Sequence, residues 1–285
     1  MANENFDLLT TTRYDPYLKS LEWNADDDGP SPFLLLPYHR DRLSVAASEH
    51  EWKIAKASLT YQKLKIVCLE AVYQSEESKF HAPSRRVKLN LSPLFFASLN
   101  VFVFKVRITL SRSGKLAVTT TPMPPLTSDP TILPIARNIP DESIETILLH
   151  LDQESTPPSL FTITKTTNRR IYDEARQRNH LPSLPSPTDV LLYNPEQLIT
   201  ETTIFNVAFY RSSGWITPAL SSGCLPGVMR RWLLEEGRIR EDHEGILTRS
   251  VVKEGELILL FNGAQGCRLG RIGEATLMSL YFDSP

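Results

Sequence analysis

The chain has 285 residues, 41% of them hydrophobic and 22% charged, with a formal charge of −2 and an isoelectric point near 6.3. That length can bury a substantial core and favours two domains, and the near-neutral balance lacks the basic field that nucleic-acid binding needs. Three widely spaced cysteines (Cys68, Cys224, Cys267) disfavour a disulfide framework and a zinc site, so no metal is expected, and no segment approaches the roughly 20 apolar residues that span a bilayer.

In chain order, the N-terminus has neither a basic stretch nor an apolar run, which points to a protein without a leader, cytoplasmic and not membrane-bound. Residues 1–30 are polar and read as irregular, ending in an acidic turn at Asn24–Pro30. A short apolar run, Phe33–Leu36, precedes Tyr38-His-Arg-Asp-Arg-Leu43 and a helical stretch at Ser44–Ser58. Val87–Leu91 and Leu99–Leu110 read as strands, the second buried on both faces at its start because it alternates only later. Ser111–Gly114 is a hairpin turn into Lys115–Thr119.

Six prolines between 122 and 140 then break the pattern, since proline removes ladder donors and blocks helix interiors. They divide the chain into an N-terminal α/β domain (1–121), a linker (122–140) and a larger C-terminal domain (141–285). In the latter, Phe161 and Ile163 suggest a strand leading to Lys165, and Asn168–Arg178 a helix. Asp189–Tyr193, Glu196–Thr200, Ile204–Tyr210, Trp215–Thr217 and Glu256–Phe261 read as strands. Pro226–Glu236 reads as a helix stopped by Gly237.

Four stretches stand out by order and spacing. They are Phe161-Thr-Ile-Thr-Lys165-Thr-Thr-Asn168-Arg169, then Ile199-Thr-Glu201-Thr-Thr-Ile-Phe-Asn206, then Leu225-Pro-Gly227-Val228-Met229-Arg230, and last Leu260-Phe-Asn262-Gly263. With His39-Arg-Asp-Arg42-Leu43 and Thr10-Thr11-Thr-Arg13, they resemble the fold-type IV pyridoxal-phosphate enzymes, the class IV aminotransferase family. Within it the chain is most similar to the fungal 4-amino-4-deoxychorismate lyases. Lys165-x-x-Asn168-Arg169 and Gly227-Val228-Met229-Arg230 resemble the lyases, whereas the transaminases usually carry threonine at the Met229 position.

The resemblance implies a mixed α/β (α+β) fold, like that of D-amino-acid aminotransferase. It has a small N-terminal domain, a larger domain with a barrel-like sheet, the cofactor in the cleft between them, and a homodimer. It implies that Lys165 carries pyridoxal 5'-phosphate and moves the reacting proton, which needs a lysine with a lowered pKa. Glu201 would pair with the ring nitrogen and Asn206 would support the nearby loop. Arg42, the Gly227-Val228-Met229 helix start and Asn262-Gly263 would hold the phosphate. Thr10, Thr11, Arg13 and Arg169 would face a small dianionic substrate. The activity implied is conversion of 4-amino-4-deoxychorismate to 4-aminobenzoate and pyruvate. Alternatives are a transaminase for D-amino acids, branched-chain amino acids or amines, and an inactive cofactor-binding homologue. The last is raised by the short stretch before Thr10, where family members usually carry a further strand and an Asp-Gly turn.

Overall fold

The structure is a computed structural model and describes residues 5–81, 102–133, 145–212 and 214–273. Val87–Leu91 and the first residues of the expected Leu99–Leu110 strand lie outside these ranges. The contacts divide the chain into two units. Unit 1 comprises Met1–Pro130 with two later pieces, Thr164–Asn168 and Gly263–Gln265, and unit 2 comprises Thr131–Ile163, Arg169–Asn262 and Gly266–Pro285. The break at 130/131 falls inside the proline-rich stretch. The piece with Lys165 joins unit 1 although chain order alone places it in the C-terminal region.

Unit 1 begins with β1 (Leu8–Tyr14), where the sequence reads as irregular. Thr10 and Thr12 are fully buried, and the Thr12 hydroxyl donates to the Leu34 carbonyl at 2.7 Å. β-Branched threonine suits a pleated strand once its hydroxyl is bonded, so polarity was the wrong guide here. The acidic turn at Asn24–Pro30 is a small hairpin, β2 (Ala25–Asp26) with β3 (Gly29–Pro30). Helix α1 (Leu36–Glu49) starts eight residues before the expected Ser44, with Pro37 in its first turn, where the missing N–H costs nothing. Separate helices α2 (Lys53–Ser58) and α3 (Tyr61–His81) follow, and Glu51 at φ 57° marks the break between α1 and α2.

β4 (Phe104–Leu110) and β5 (Leu116–Pro122) form a hairpin, and the sheet order is β1-β4-β5. Val103 and Phe104 are both buried before strict alternation sets in, as the pattern predicts. Gly114 turns the hairpin at φ 83°, a region L side chains avoid. The core of unit 1 gathers Leu8, Phe33, Leu36, Leu43, Leu64 and Phe104 between the helices and the sheet.

Unit 2 is an eight-stranded sheet of β6 (Ile147–Leu151), β7 (Thr188–Tyr193), β8 (Ile199–Thr202), β9 (Asn206–Arg211), β10 (Gly214–Pro218), β11 (Arg240–Asp242), β12 (Leu257–Asn262) and β13 (Gly266–Ile272). Their order is β11-β10-β9-β12-β13-β6-β7-β8. The edge strand β8 also packs on β9 and β10, so the sheet curls back upon itself around Leu149, Leu191, Phe209, Ile258 and Leu260. Among the described residues three α-helices accompany it: α4 (Leu160–Ile163), α5 (Arg170–Arg178) and α6 (Val228–Glu235). The strand expected before Lys165 is instead the single turn α4, because Ser159 accepts from the backbone N–H groups of Thr162 and Ile163. α6 ends as the sequence suggests. Gly237 takes φ 62°, and the N–H groups of Gly237 and Arg238 return to Leu234 and Leu233.

Candidate active site

In unit 1 the Lys165 segment docks on the start of β1 as an extra stretch of strand. Leu9 N–H donates to the Lys165 carbonyl and Thr167 N–H to the Asp7 carbonyl, each at 2.8 Å, and Asp7 N–H reaches Thr167 Oγ1 at 2.9 Å. Thr166 bridges Leu8. On the other side, Thr164 Oγ1 lies 2.8 Å from His50 Nε2, and His50 packs against Phe6 and Trp52. The backbone around Lys165 is therefore held on both sides while its side chain is half-buried.

Thr10, Arg42, Lys165 and Gly263 converge on one residue, His39. Its ring is fully buried, with Nδ1 2.6 Å from Thr10 Oγ1. Arg42 also donates to Thr10 Oγ1. Burial first, then the positive charges of Arg42 and Lys165, push the imidazole pKa well below its ordinary value, and backbone groups of Gly263 and Leu34 oppose this only in part. His39 is therefore neutral, wedged beside two cations without adding a third. Sequence reasoning quoted His39 only as a letter of the H-x-x-R-L motif. Its position three residues before Arg42, one helical turn, was the signal that could have found it.

Thr11 and Arg13 lie on the opposite face of β1 from Thr10. Arg13 is buried and ion-pairs with Asp15 at 3.0 Å, and it also donates to the Pro124 carbonyl. Asp15 in turn accepts from Leu126 N–H at 2.8 Å. This arginine thus ties β1 to the proline-rich stretch.

In unit 2, Glu201 on β8 is buried, only 4% exposed. Tyr172 on α5 donates its hydroxyl to Glu201 Oε1 at 2.8 Å, and Leu225 N–H lies 3.3 Å from Oε2. Asn206, which opens β9, donates from Nδ2 to the Leu225 carbonyl at 2.8 Å. Gly227 caps α6 with φ −69° and ψ 148°. A Cβ built on it would stand 1.9 Å from Asn206 Oδ1, so the glycine is required by close approach rather than by its backbone angles. Val228 and Met229 are buried, and their N–H groups belong to a helix start, which has no intrahelical acceptor for them. Asn262 closes β12 opposite Gly266, with Nδ2 3.4 Å from the Ile204 carbonyl. Arg169 donates to the Thr203 carbonyl at 2.9 Å and lies over the Tyr172 ring at 5.1 Å. Tyr172 was missed by the sequence reading because nothing local marks a tyrosine that answers a glutamate 29 residues on.

A family model for amino-transferase class IV matches residues 84–270, well over half of the chain. The chain belongs to the class IV aminotransferase family. Within the family, a Schizosaccharomyces pombe protein named "Putative aminodeoxychorismate lyase" is 42% identical over 158 residues, covering 55% of this chain and 62% of its own length. The Saccharomyces cerevisiae aminodeoxychorismate lyase is 31% identical over 202 residues, covering 59% and 51%. The chain thus spans between half and two thirds of the length of the curated relatives it matches.

Solved structures of the family share the fold. A Legionella pneumophila "Putative 4-amino-4-deoxychorismate lyase" superposes with a TM-score of 0.60 at 14% identity, covering 94% of this chain and 83% of the other. The branched-chain amino acid aminotransferase of Escherichia coli gives 0.57 at 11%, covering 95% and 80%. Lyase and transaminase match almost equally well, so the fold is established while the chemistry is not decided by it.

The residues fit the family's cofactor class. An amine and a guanidinium share unit 1 with a histidine kept neutral, and unit 2 offers a buried, hydrogen-bonded carboxylate and a glycine-opened helix start. An aldehyde, a phosphate and a pyridine nitrogen call for those groups. Among the described residues no helix is long and apolar enough to cross a membrane.

Proposed function

We propose that this chain is a pyridoxal-phosphate-dependent aminodeoxychorismate lyase, releasing 4-aminobenzoate and pyruvate from 4-amino-4-deoxychorismate. The observation that carries the choice of lyase is the 42% identity to the Schizosaccharomyces pombe relative over 158 residues. Supporting it, Gly227-Val228-Met229-Arg230 and Lys165-x-x-Asn168-Arg169 resemble the lyases rather than the transaminases.

In this reading Lys165 would hold the cofactor through its aldehyde, and its amine would take the proton from the substrate carbon bearing nitrogen. When bound, the cofactor supplies an electron sink for that carbon. Glu201 holds the ring nitrogen protonated. Asn206 steadies the Leu225–Gly227 segment, and Arg42 with the backbone of Gly227–Met229, Asn262 and Gly263 holds the phosphate. Lys165 returns the proton to the departing fragment. Thr10, Thr11, Arg13 and Arg169 are assigned to the substrate side by resemblance, though the Arg13–Asp15 and Arg169–Thr203 contacts also give both arginines structural work. The enzyme acts as a homodimer in a reducing, cytoplasmic setting, a proposal with which the three free cysteines agree.

The test is to mix purified protein with aminodeoxychorismate and follow 4-aminobenzoate fluorescence and pyruvate together. Borohydride trapping should label Lys165, and Lys165→Ala should abolish both product and label. Accumulation of pyridoxamine phosphate from an amino donor alone would favour a transaminase. Bound cofactor without pyruvate release would favour the inactive homologue.

A further inference from the structure

We propose that Tyr172 is a positioning residue for Glu201, setting the orientation in which that carboxylate meets the cofactor's ring nitrogen. This rests on the reading above that Glu201 is the ring-nitrogen partner.

The geometry separates the ring of Tyr172 from its hydroxyl. The ring packs with Ala175, Val190 and Leu192, contacts that a phenylalanine would make as well. The hydroxyl adds one thing, a 2.8 Å hydrogen bond donated to Glu201 Oε1 in a buried setting. A carboxylate on a flexible two-carbon stem has broad freedom about its last torsion. Tyr172 fixes one oxygen and Leu225 N–H approaches the other, so the carboxylate plane is held from two elements, α5 and the segment before α6.

Tyr172 is itself braced. Arg169 lies over its ring at 5.1 Å and donates to the Thr203 carbonyl, joining the start of α5 to the loop that follows β8. Burial and the adjacent Glu201 charge hold the phenol's pKa well above its ordinary value, outweighing Arg169. The phenol therefore remains a donor throughout the working pH range and takes no part in moving protons.

The experiment uses the purified protein stripped of cofactor and titrated with pyridoxal phosphate, comparing wild type, Tyr172→Phe, Glu201→Gln and the double variant. The readouts are the cofactor Kd and the pH dependence of the bound cofactor's absorbance, which packing alone would not move. Loss of one hydrogen bond to a charged group predicts a Kd raised about tenfold in Tyr172→Phe, with a displaced absorbance titration. In the Glu201→Gln background the same substitution should change neither.

Tyr172→Phe indistinguishable from wild type, while Glu201→Gln alters both readouts, would overturn the positioning role and leave the function intact. An equal effect of Tyr172→Phe with or without Glu201 would overturn it too, since the tyrosine would then act by another route. If Glu201→Gln changes nothing, the assignment of Glu201 fails first and this role falls with it. Phenylalanine keeps the ring, and an unchanged melting temperature confirms that each comparison is between folded proteins.

Discussion

The close approach of Gly227 to Asn206 makes a quantitative prediction. Alanine at 227 is compatible with the backbone, because φ −69° and ψ 148° lie in the ordinary extended region. Its Cβ, however, would stand 1.9 Å from Asn206 Oδ1 and 3.1 Å from Cγ. Asn206 must swing away and give up its 2.8 Å bond to the Leu225 carbonyl. A hydrogen bond of this kind contributes about 1 kcal/mol net, and a partner left unsatisfied in a buried site costs about 1–3 kcal/mol. Replacing a helix N-cap glycine by alanine adds up to about 1 kcal/mol, whatever stands at 206. Gly227→Ala should therefore destabilise by about 2–4 kcal/mol in wild type, but by about 1 kcal/mol or less in an Asn206→Ala background. Urea unfolding of the four proteins of this double-mutant cycle, followed by tryptophan fluorescence and circular dichroism, measures the coupling. Additivity within about 0.5 kcal/mol would refute the argument, because the two residues would then not be competing for the same space.

Three further outcomes follow from the same structure. His39 has a folded-state pKa well below that of the unfolded chain, so between the two values the unfolded state binds the extra proton. Its contribution is complete above pH about 6.5 and is lost as pH falls below that, with a slope of up to about 1.4 kcal/mol per pH unit. His39→Gln in cofactor-free protein should flatten the stability profile between about pH 5 and 6.5, and an unchanged slope would contradict a buried neutral imidazole. Arg176, buried against Asp189 at 3.1 Å, should be costly to remove alone: Arg176→Met should lose about 3–5 kcal/mol by chemical denaturation, and adding Asp189→Asn should recover part of it. Burial pushes the Cys68 thiol up to about 12 and the Cys224 thiol up to about 11, whereas Cys267 is partly exposed. Mass spectrometry after brief alkylation of native protein at neutral pH should find Cys267 modified first, and early labelling of Cys68 would count against the packing described.

What the sequence made legible divides along a physical line. Five of the eight strands of unit 2 could be placed within a few residues because runs such as Asp189–Tyr193 and Glu256–Phe261 are short, apolar and bounded by turn formers, a signal contained in the run itself, whereas β6, β11 and β13 were not read. β1 was misread because its information is not local. Leu8-Leu-Thr-Thr-Thr-Arg-Tyr14 looks polar until Thr12 finds the Leu34 carbonyl and Arg13 finds Asp15. The Lys165 segment is the sharper instance. Its backbone bonds go to Asp7 and Leu9, more than 150 residues away, and no periodicity in one sequence reports a pairing at that distance.

The same line separates the site residues. Lys165, Glu201 and Gly227 were proposed because the motifs that carry them resemble the family's in order and spacing, and the chemistry each would bring resides in its identity: an amine, a carboxylate and a missing side chain. His39 and Tyr172 are defined by their surroundings. An imidazole becomes a neutral spacer only when buried beside Arg42 and Lys165, and a phenol becomes a steadying donor only when a glutamate from another strand is brought within 2.8 Å. Identity therefore points to what a site can bind, and folding decides which of its neighbours hold it in the state that binding requires. If that is right, substitutions at the first group should weaken cofactor binding most, while conservative substitutions at the second should leave it only shifted in affinity or pH response. A Tyr172→Phe protein that keeps its fold but no longer binds cofactor at all would invert that order.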